Sequence, residues 1–132
     1  MRMLLRVLVV AGLAIDAYTH AHLAHNFKFN NDAKLTGEQM FLIEAGVAAV
    51  VALLVLFRPQ RATYALAFLV AAGGVAAVFI FSYYNVGALF GLMPTIYEPF
   101  WYTEKYVSLI GEAVAAIAAL VAFVITPSKR AA

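Results

Sequence analysis

Three carboxylates and a histidine stand where a lipid-facing helix would be apolar. Asp16 and His20 are four residues apart in the stretch AIDAYTHAHLAH, so they share one helix face. Glu44 and Glu112 interrupt two other apolar runs. An ionisable side chain at the centre of a bilayer costs about 2.5–3.5 kcal/mol, so such groups turn toward one another, a cavity or a ligand. Their charges do not cancel. Asp16, Glu44 and Glu112 bring three negative charges and His20 one positive. Lys105, seven residues before Glu112 on the same helical face, is expected to reach down toward it. The set is still one positive charge short, which predicts either a retained proton or a bound cation.

The residue types define the chemistry available. A hydrogen-bonded network that fixes helix register needs no ligand. A divalent metal held by Asp16, His20, Glu44 and Glu112 would be Zn, Mn or Fe rather than Cu(I), because one imidazole among carboxylates is a hard donor set. The Glu-x-x-His pairs of di-iron bundles are absent. A quinone or lipid-like ligand would be held by His20 with Tyr83 or Tyr84, and Asn85 would line the same pocket. Haem b is disfavoured. Its two axial histidines would have to come from different helices, and all three histidines lie between residues 20 and 25. His22 and His25 read as interfacial polarity at a helix end, and Asn26 and Asp32 as solvated loop residues.

The elements that must position these groups are legible from composition. Of the 132 residues, 65% are hydrophobic and 12% charged, and the mean hydropathy is +0.90. Soluble domains carry about 25% charged residues. The chain therefore reads as one integral membrane domain over residues 1–132, with the lipid bilayer as its first partner. It has no cysteine, which excludes thiol catalysis, disulfides and iron–sulfur ligation. A net charge of +2 without a basic tract gives no reason to expect nucleic acid.

Four runs are long enough to span, at residues 3–23, 38–57, 62–85 and 104–125. The first could be a cleaved signal peptide, but it is long enough to span and carries Asp16, so a retained helix is expected. Thr36 and Gln39 form a capping box at the second. Arg58, Pro59, Gln60 and Arg61 make a tight basic turn before the third. Ala67, Ala71, Gly74 and Val78 form a small-residue stripe suited to close packing, continued by Ser82 and Asn85, and Gly73 with Gly74 is a place for a bend.

Residues 86–103 are irregular yet apolar and aromatic. They are expected to fold back as an interfacial belt or a cover over one bundle end, with Tyr97, Trp101 and Tyr102 as interface anchors. Glu98 and the neighbouring Glu104 and Lys105 read as a charge arrangement at a helix N-terminus. The fold class expected is an all-α, antiparallel, up-down-up-down four-helix membrane bundle.

Arg2, Arg6, Arg58, Arg61, Lys129 and Arg130 fall on one side of such a bundle, and Lys28, Lys34 and Lys105 on the other. The positive-inside rule then places both termini in the cytoplasm and the protein in the plasma membrane. At about 1.5 Å of rise per residue, Asp16, His20, Glu44 and Glu112 all fall in one layer of the outer leaflet.

The run Tyr84, Asn85, Val86, Gly87, Ala88 and Leu89, followed by Met93 and Pro94, by Tyr97, Glu98 and Pro99, by Trp101 and Tyr102, and by Glu104 and Lys105, resembles small four-helix membrane proteins of actinobacterial type. Asp16, His20 and His22 in the first helix fit that resemblance, which covers most of the chain. The architecture is also similar to DoxX-like four-helix proteins, a likeness that implies association with a larger redox-partner membrane complex. No catalytic residue is implied by either. The expected function is that of a binding or accessory membrane protein rather than an enzyme. The alternative is an oxidoreductase component that uses a metal or quinone in the same pocket. Transport is less favoured, since no inverted repeat is visible.

Overall fold

A computed structural model describes residues 1–127 of the chain. It contains four long helices, α1 (Arg2–Leu23), α2 (Gly37–Phe57), α3 (Arg61–Tyr83) and α4 (Thr103–Ile125). A short 3-10 turn at Ala24–Phe27 extends α1. Among the described residues there is no strand, only an isolated bridge between Leu89 and Met93. All four helices are long and apolar enough to cross a membrane. Their outward faces carry exposed Leu53, Leu69, Ile110 and Ile117, the surface that a lipid solvent demands.

Local signals set the helix ends. The Thr36 hydroxyl accepts from the Gln39 amide at 3.1 Å and the Gln39 side chain accepts from the Thr36 amide at 3.0 Å, so both halves of the capping box form. The turn before α3 has a second box, with the Gln60 amide donating to the Thr63 hydroxyl at 3.1 Å. At the same end Arg2 donates to the Ile125 carbonyl and Arg6 to the Leu56 carbonyl. These cations satisfy carbonyls that the last turns of α4 and α2 leave open. Lys129 and Arg130, counted above for topology, lie outside the described residues.

α1 packs closely on α2 and on α4, and α4 on α3, while α2 and α3 are the loosest pair of neighbours. The core below the middle of the bundle is built from Leu5, Val9 and Leu13 against Val51, Val55, Ala67, Ala71, Ala115 and Ala119. Its alanines let backbones approach closely. The closest approach of helix backbones seen at a glycine is between α1 and α4. A Cβ added at Gly12 would lie 2.5 Å from the Gly111 carbonyl oxygen and 2.8 Å from the Ala115 Cβ.

A second apolar cluster closes the opposite end of the bundle, with Leu23, Phe27 and Ile96 buried among Phe41, Phe81 and Tyr102. Residues 86–102 form a strap across this end. It is fastened to the loop between α1 and α2 by the Lys34 amide on the Gly91 carbonyl and the Leu35 amide on the Leu92 carbonyl, both at 3.0 Å. Asn30 donates to the Thr95 carbonyl at 3.0 Å, and the Glu98 amide reaches the Phe81 carbonyl at 2.8 Å. The strap turns sharply at Phe90 and Gly91, both with positive φ (57° and 66°). Glycine adopts that conformation freely. Phe90 does not, and its ring projects 97% exposed.

Candidate functional site

The inward stripe of α1 runs Leu5, Val9, Leu13 and then Asp16. Asp16 therefore takes the next core position in helical phase and is fully buried. His20 lies one turn further along the same face. Its Nδ1 is 2.9 Å from the Asp16 carbonyl oxygen and 2.7 Å from Asp16 Oδ1. The His20 ring also leans on Phe41 of α2, with centroids 5.1 Å apart. One turn after Phe41, Glu44 comes to the same place. Asp16, His20 and Glu44 each offer one donor atom within 4.8 Å of the other two.

Glu112 of α4 is fully buried as well. Its Oε1 accepts from the Ser108 hydroxyl at 2.9 Å. Its other oxygen rests against Gly74 of α3, where any Cβ would overlap the carboxyl group. Gly74 was read from the sequence as part of a packing stripe, and its function here is to leave room for a carboxylate. Asp16 Oδ2, Glu44 Oε1 and Glu112 Oε2 are buried with no hydrogen-bond partner, and Asp16 Oδ1 has only its His20 contact. Buried polar atoms are nearly always paired, so this density of orphaned acidic oxygens marks the site.

Beside this set lies a cavity of about 380 Å³. His20, Thr19, Glu44 and Ser108 give it a polar wall, and α3 gives it an apolar one from Leu69 to Phe81. Met93, Ile96, Glu98 and Tyr102 of the strap form its roof. It is half open, on the side where α2 and α3 part, with the exposed Leu69 and Gly73 at its margin.

Several residues sit elsewhere than the sequence led us to expect. Tyr83 and Tyr84 are 60% and 65% exposed, and Asn85 is exposed too; none of the three lines the cavity. The reason is helical phase. Ser82 holds the inward position, Tyr83 is a third of a turn away, and α3 ends there, so Asn85 does not continue the stripe. Tyr83 instead joins Phe79 and Trp101 in an outward aromatic group with centroids about 6.5 Å apart, in keeping with an interfacial belt.

Lys105 does not reach toward Glu112. Its Nζ turns to the strap, donating to the Glu98 carbonyl at 2.5 Å and the Phe100 carbonyl at 2.9 Å, with Glu98 Oε1 at 3.8 Å and the Trp101 ring centroid at 4.7 Å. That leaves His20 as the one basic side chain within ion-pairing distance of the buried carboxylates among the described residues. His22 and His25 are exposed.

Tyr102 donates to Glu98 Oε1 at 2.8 Å. Burial, then the bond to Glu98 and the charges of Glu98 and Glu104, push its phenol well above the usual range. Asp32, read as a solvated loop residue, is exposed but fastens the strap. The Thr95 amide reaches its Oδ1 at 2.7 Å, and the Thr95 hydroxyl donates to its Oδ2. These two bonds hold the Asp32 carboxyl below the usual carboxylate range. A carboxyl so depressed stabilises the folded strap above the unfolded value of about 4, and that stabilisation is lost as pH falls through the folded value. Amide exchange at Thr95 and its neighbours, corrected for intrinsic rates, should therefore quicken below about pH 4 and in Asp32→Ala at neutral pH. Equal protection in the variant at neutral pH would show that Asp32 holds nothing.

No protein-family model, curated protein or solved structure matches the chain.

Proposed function

We propose that this is a membrane-embedded binding protein for an amphiphile with an apolar body and a small head that donates hydrogen bonds or carries positive charge. The observation that carries the reading is the two-faced cavity, with His20 and Glu44, whose Oε1 makes no hydrogen bond, on one side and the apolar wall of α3 on the other. Its volume falls within the range of small-molecule sites. Its open side is at the middle of α3, where a ligand would enter from lipid rather than from water. A head that donates hydrogen bonds complements the Glu44 oxygen that the protein leaves unpaired at the cavity. Hydroxyl and amine heads qualify, and a quinol belongs to this class, so the same geometry suits an accessory subunit of a redox complex.

The topology that supports this reading has both termini in the cytoplasm. Arg2, Arg6, Arg58 and Arg61 gather at one end of the bundle and the strap at the other. The site then lies in the outer leaflet of the plasma membrane.

Gly73 provides the test. A Cβ there meets nothing within 4 Å, so a larger side chain can be introduced without crowding its neighbours. In nanodiscs, wild-type protein should bind decylamine or a decyl-chain quinol, and Gly73→Trp should bind at least tenfold more weakly with its thermal midpoint unchanged within a few degrees. Decane-1-sulfonate, an acceptor-only anion of similar length, should bind neither. Equal binding of the sulfonate and the amine, or no difference between Gly73→Trp and wild type, would rule the proposal out.

A further inference from the structure

We infer that Asp16, His20 and Glu44 form a binding site for a single divalent first-row transition-metal ion, with an open coordination position facing the cavity. This goes beyond the amphiphile reading and does not depend on it. The first observation is geometric. Three side chains from two helices bring donor atoms within 4.8 Å of one another. An ion with bonds of about 2.0–2.2 Å needs donors roughly 3.3–4.4 Å apart. Small rotations of the Glu44 side chain, which is half-buried and borders open space, close that difference.

The second observation is independent of the cluster's spacing. Asp16 is fully buried; its Oδ1 has only the His20 Nδ1 contact at 2.7 Å, and its Oδ2 has no hydrogen-bond partner. The bundle core offers Oδ2 no partner in its place, and a buried carboxylate left partly unsatisfied is costly. Lys105 is held by the strap carbonyls, and Arg2 and Arg6 by helix-end carbonyls at the opposite end. A bound cation would meet the free acceptors of Asp16 and Glu44 together.

The histidine is arranged as a metal ligand would be. When Nδ1 carries the proton toward the Asp16 carbonyl at 2.9 Å and Oδ1 at 2.7 Å, Nε2 keeps its lone pair free and Oδ2 is the Asp16 oxygen left for an ion. Metal-binding histidines are usually oriented by such a bond from their second nitrogen. One imidazole with two carboxylates is harder than a thiolate set and softer than an all-oxygen cage. It suits Mn²⁺, Fe²⁺ or Zn²⁺ over Cu⁺, Ca²⁺ or Mg²⁺. Three protein ligands leave at least one position open, and His20 and Glu44 line the cavity, so that position faces it. Glu112, included in the sequence-derived set, stays outside the trio, held by Ser108 on α4.

The chain has three histidines, which makes the test specific. His22→Gln with His25→Gln removes the two exposed ones and leaves His20 as the sole imidazole. That double variant, stripped of metal and reconstituted in nanodiscs without any organic ligand, should bind one Mn²⁺ per chain and show nitrogen coupling in pulsed electron paramagnetic resonance. Zn²⁺ should bind at one equivalent, and Glu44→Gln in the same background should lower its affinity at least 100-fold. Should Glu44→Gln fail to fold, the nitrogen coupling of the double variant decides alone. Binding below one tenth of an equivalent, binding without nitrogen coupling, or unchanged affinity in a folded Glu44→Gln protein would each overturn the site. Because no amphiphile is present, any of these results leaves the amphiphile reading untouched, and failure of the decylamine experiment leaves the metal site untouched.

Discussion

Gly12→Leu is expected to be the most damaging single substitution outside the buried polar set. The added Cβ meets the Gly111 carbonyl oxygen at 2.5 Å and the Ala115 Cβ at 2.8 Å, while the Cβ of a residue at 111 would in turn press on Ile15. The first of these contacts is with backbone, which cannot swing aside as a side-chain tip can. α1 and α4 must therefore move apart along this backbone seam. Overpacking usually costs about 1–3 kcal/mol, and a clash with backbone belongs at about 3 kcal/mol or above. Asp16 lies one turn beyond Gly12, so separation also admits lipid or water to the polar layer. Unfolding in mixed detergent micelles measures the loss. Gly46→Leu is the matched control, since nothing lies within 4 Å of a Cβ there. A Gly12→Leu protein within 1 kcal/mol of wild type by this measure would show that the close approach is not a constraint.

Lys105→Met should have the next largest effect, concentrated in the strap. The side chain is buried, and its ammonium holds two carbonyls and stands beside the Glu98 carboxylate. Methionine keeps the apolar stem and removes the donors. Hydrogen bonds from a charged group contribute about 1.5–3 kcal/mol each, and breaking a buried pair costs about 3–5 kcal/mol. A loss of about 3 kcal/mol is expected after partial hydration of the freed carbonyls. Amide exchange of residues 93–102 should accelerate by roughly 100-fold, as a loss of that size allows, while amides in the lower half of the bundle keep their protection. Glu104→Gln, on the neighbouring half-exposed side chain, should change little. An unaltered exchange pattern in Lys105→Met would mean that the backbone bonds of the strap suffice.

The comparison of residues shows what can be read from a membrane sequence. The helices were legible because hydrocarbon tolerates little else, and their observed ends differ from the expected ones by no more than two residues. Asp16, His20 and Glu44 were legible as a set for the same reason. Charge at membrane depth is costly enough that its few instances must meet. Tyr83, Tyr84 and Asn85 were misplaced because rotation about a helix axis is not fixed by hydropathy when every face is apolar. α3 has alanine, glycine and aromatic residues on all sides, and only its contact with α4 decides which face turns inward. The partner of Lys105 was illegible for a different reason. Glu112 and the strap are both within reach of a flexible side chain, and the choice depends on carbonyls whose positions come from the folded strap. The Asp32–Thr95 contact joins two loops 63 residues apart, and no local pattern signals such a pair.

The seam at Gly12 also bears on how the molecule is made. It joins α1 to α4, so this close backbone contact is also, among the described helices, the one most distant in sequence. While α1, α2 and α3 enter the bilayer, the side of α1 that carries Asp16 has no neighbour in the position α4 will occupy. Ser108, Glu112 and Lys105 all arrive with that final helix, and with Lys105 comes the anchorage of the strap. The polar layer is thus completed in a single step, when α4 joins α1, α2 and α3. Contacts of long sequence separation form slowly, and until this one forms the nascent protein holds a carboxylate open to lipid. A chain stopped before Thr103 would remain in that state, with Asp16 lacking the α4 side of its surroundings.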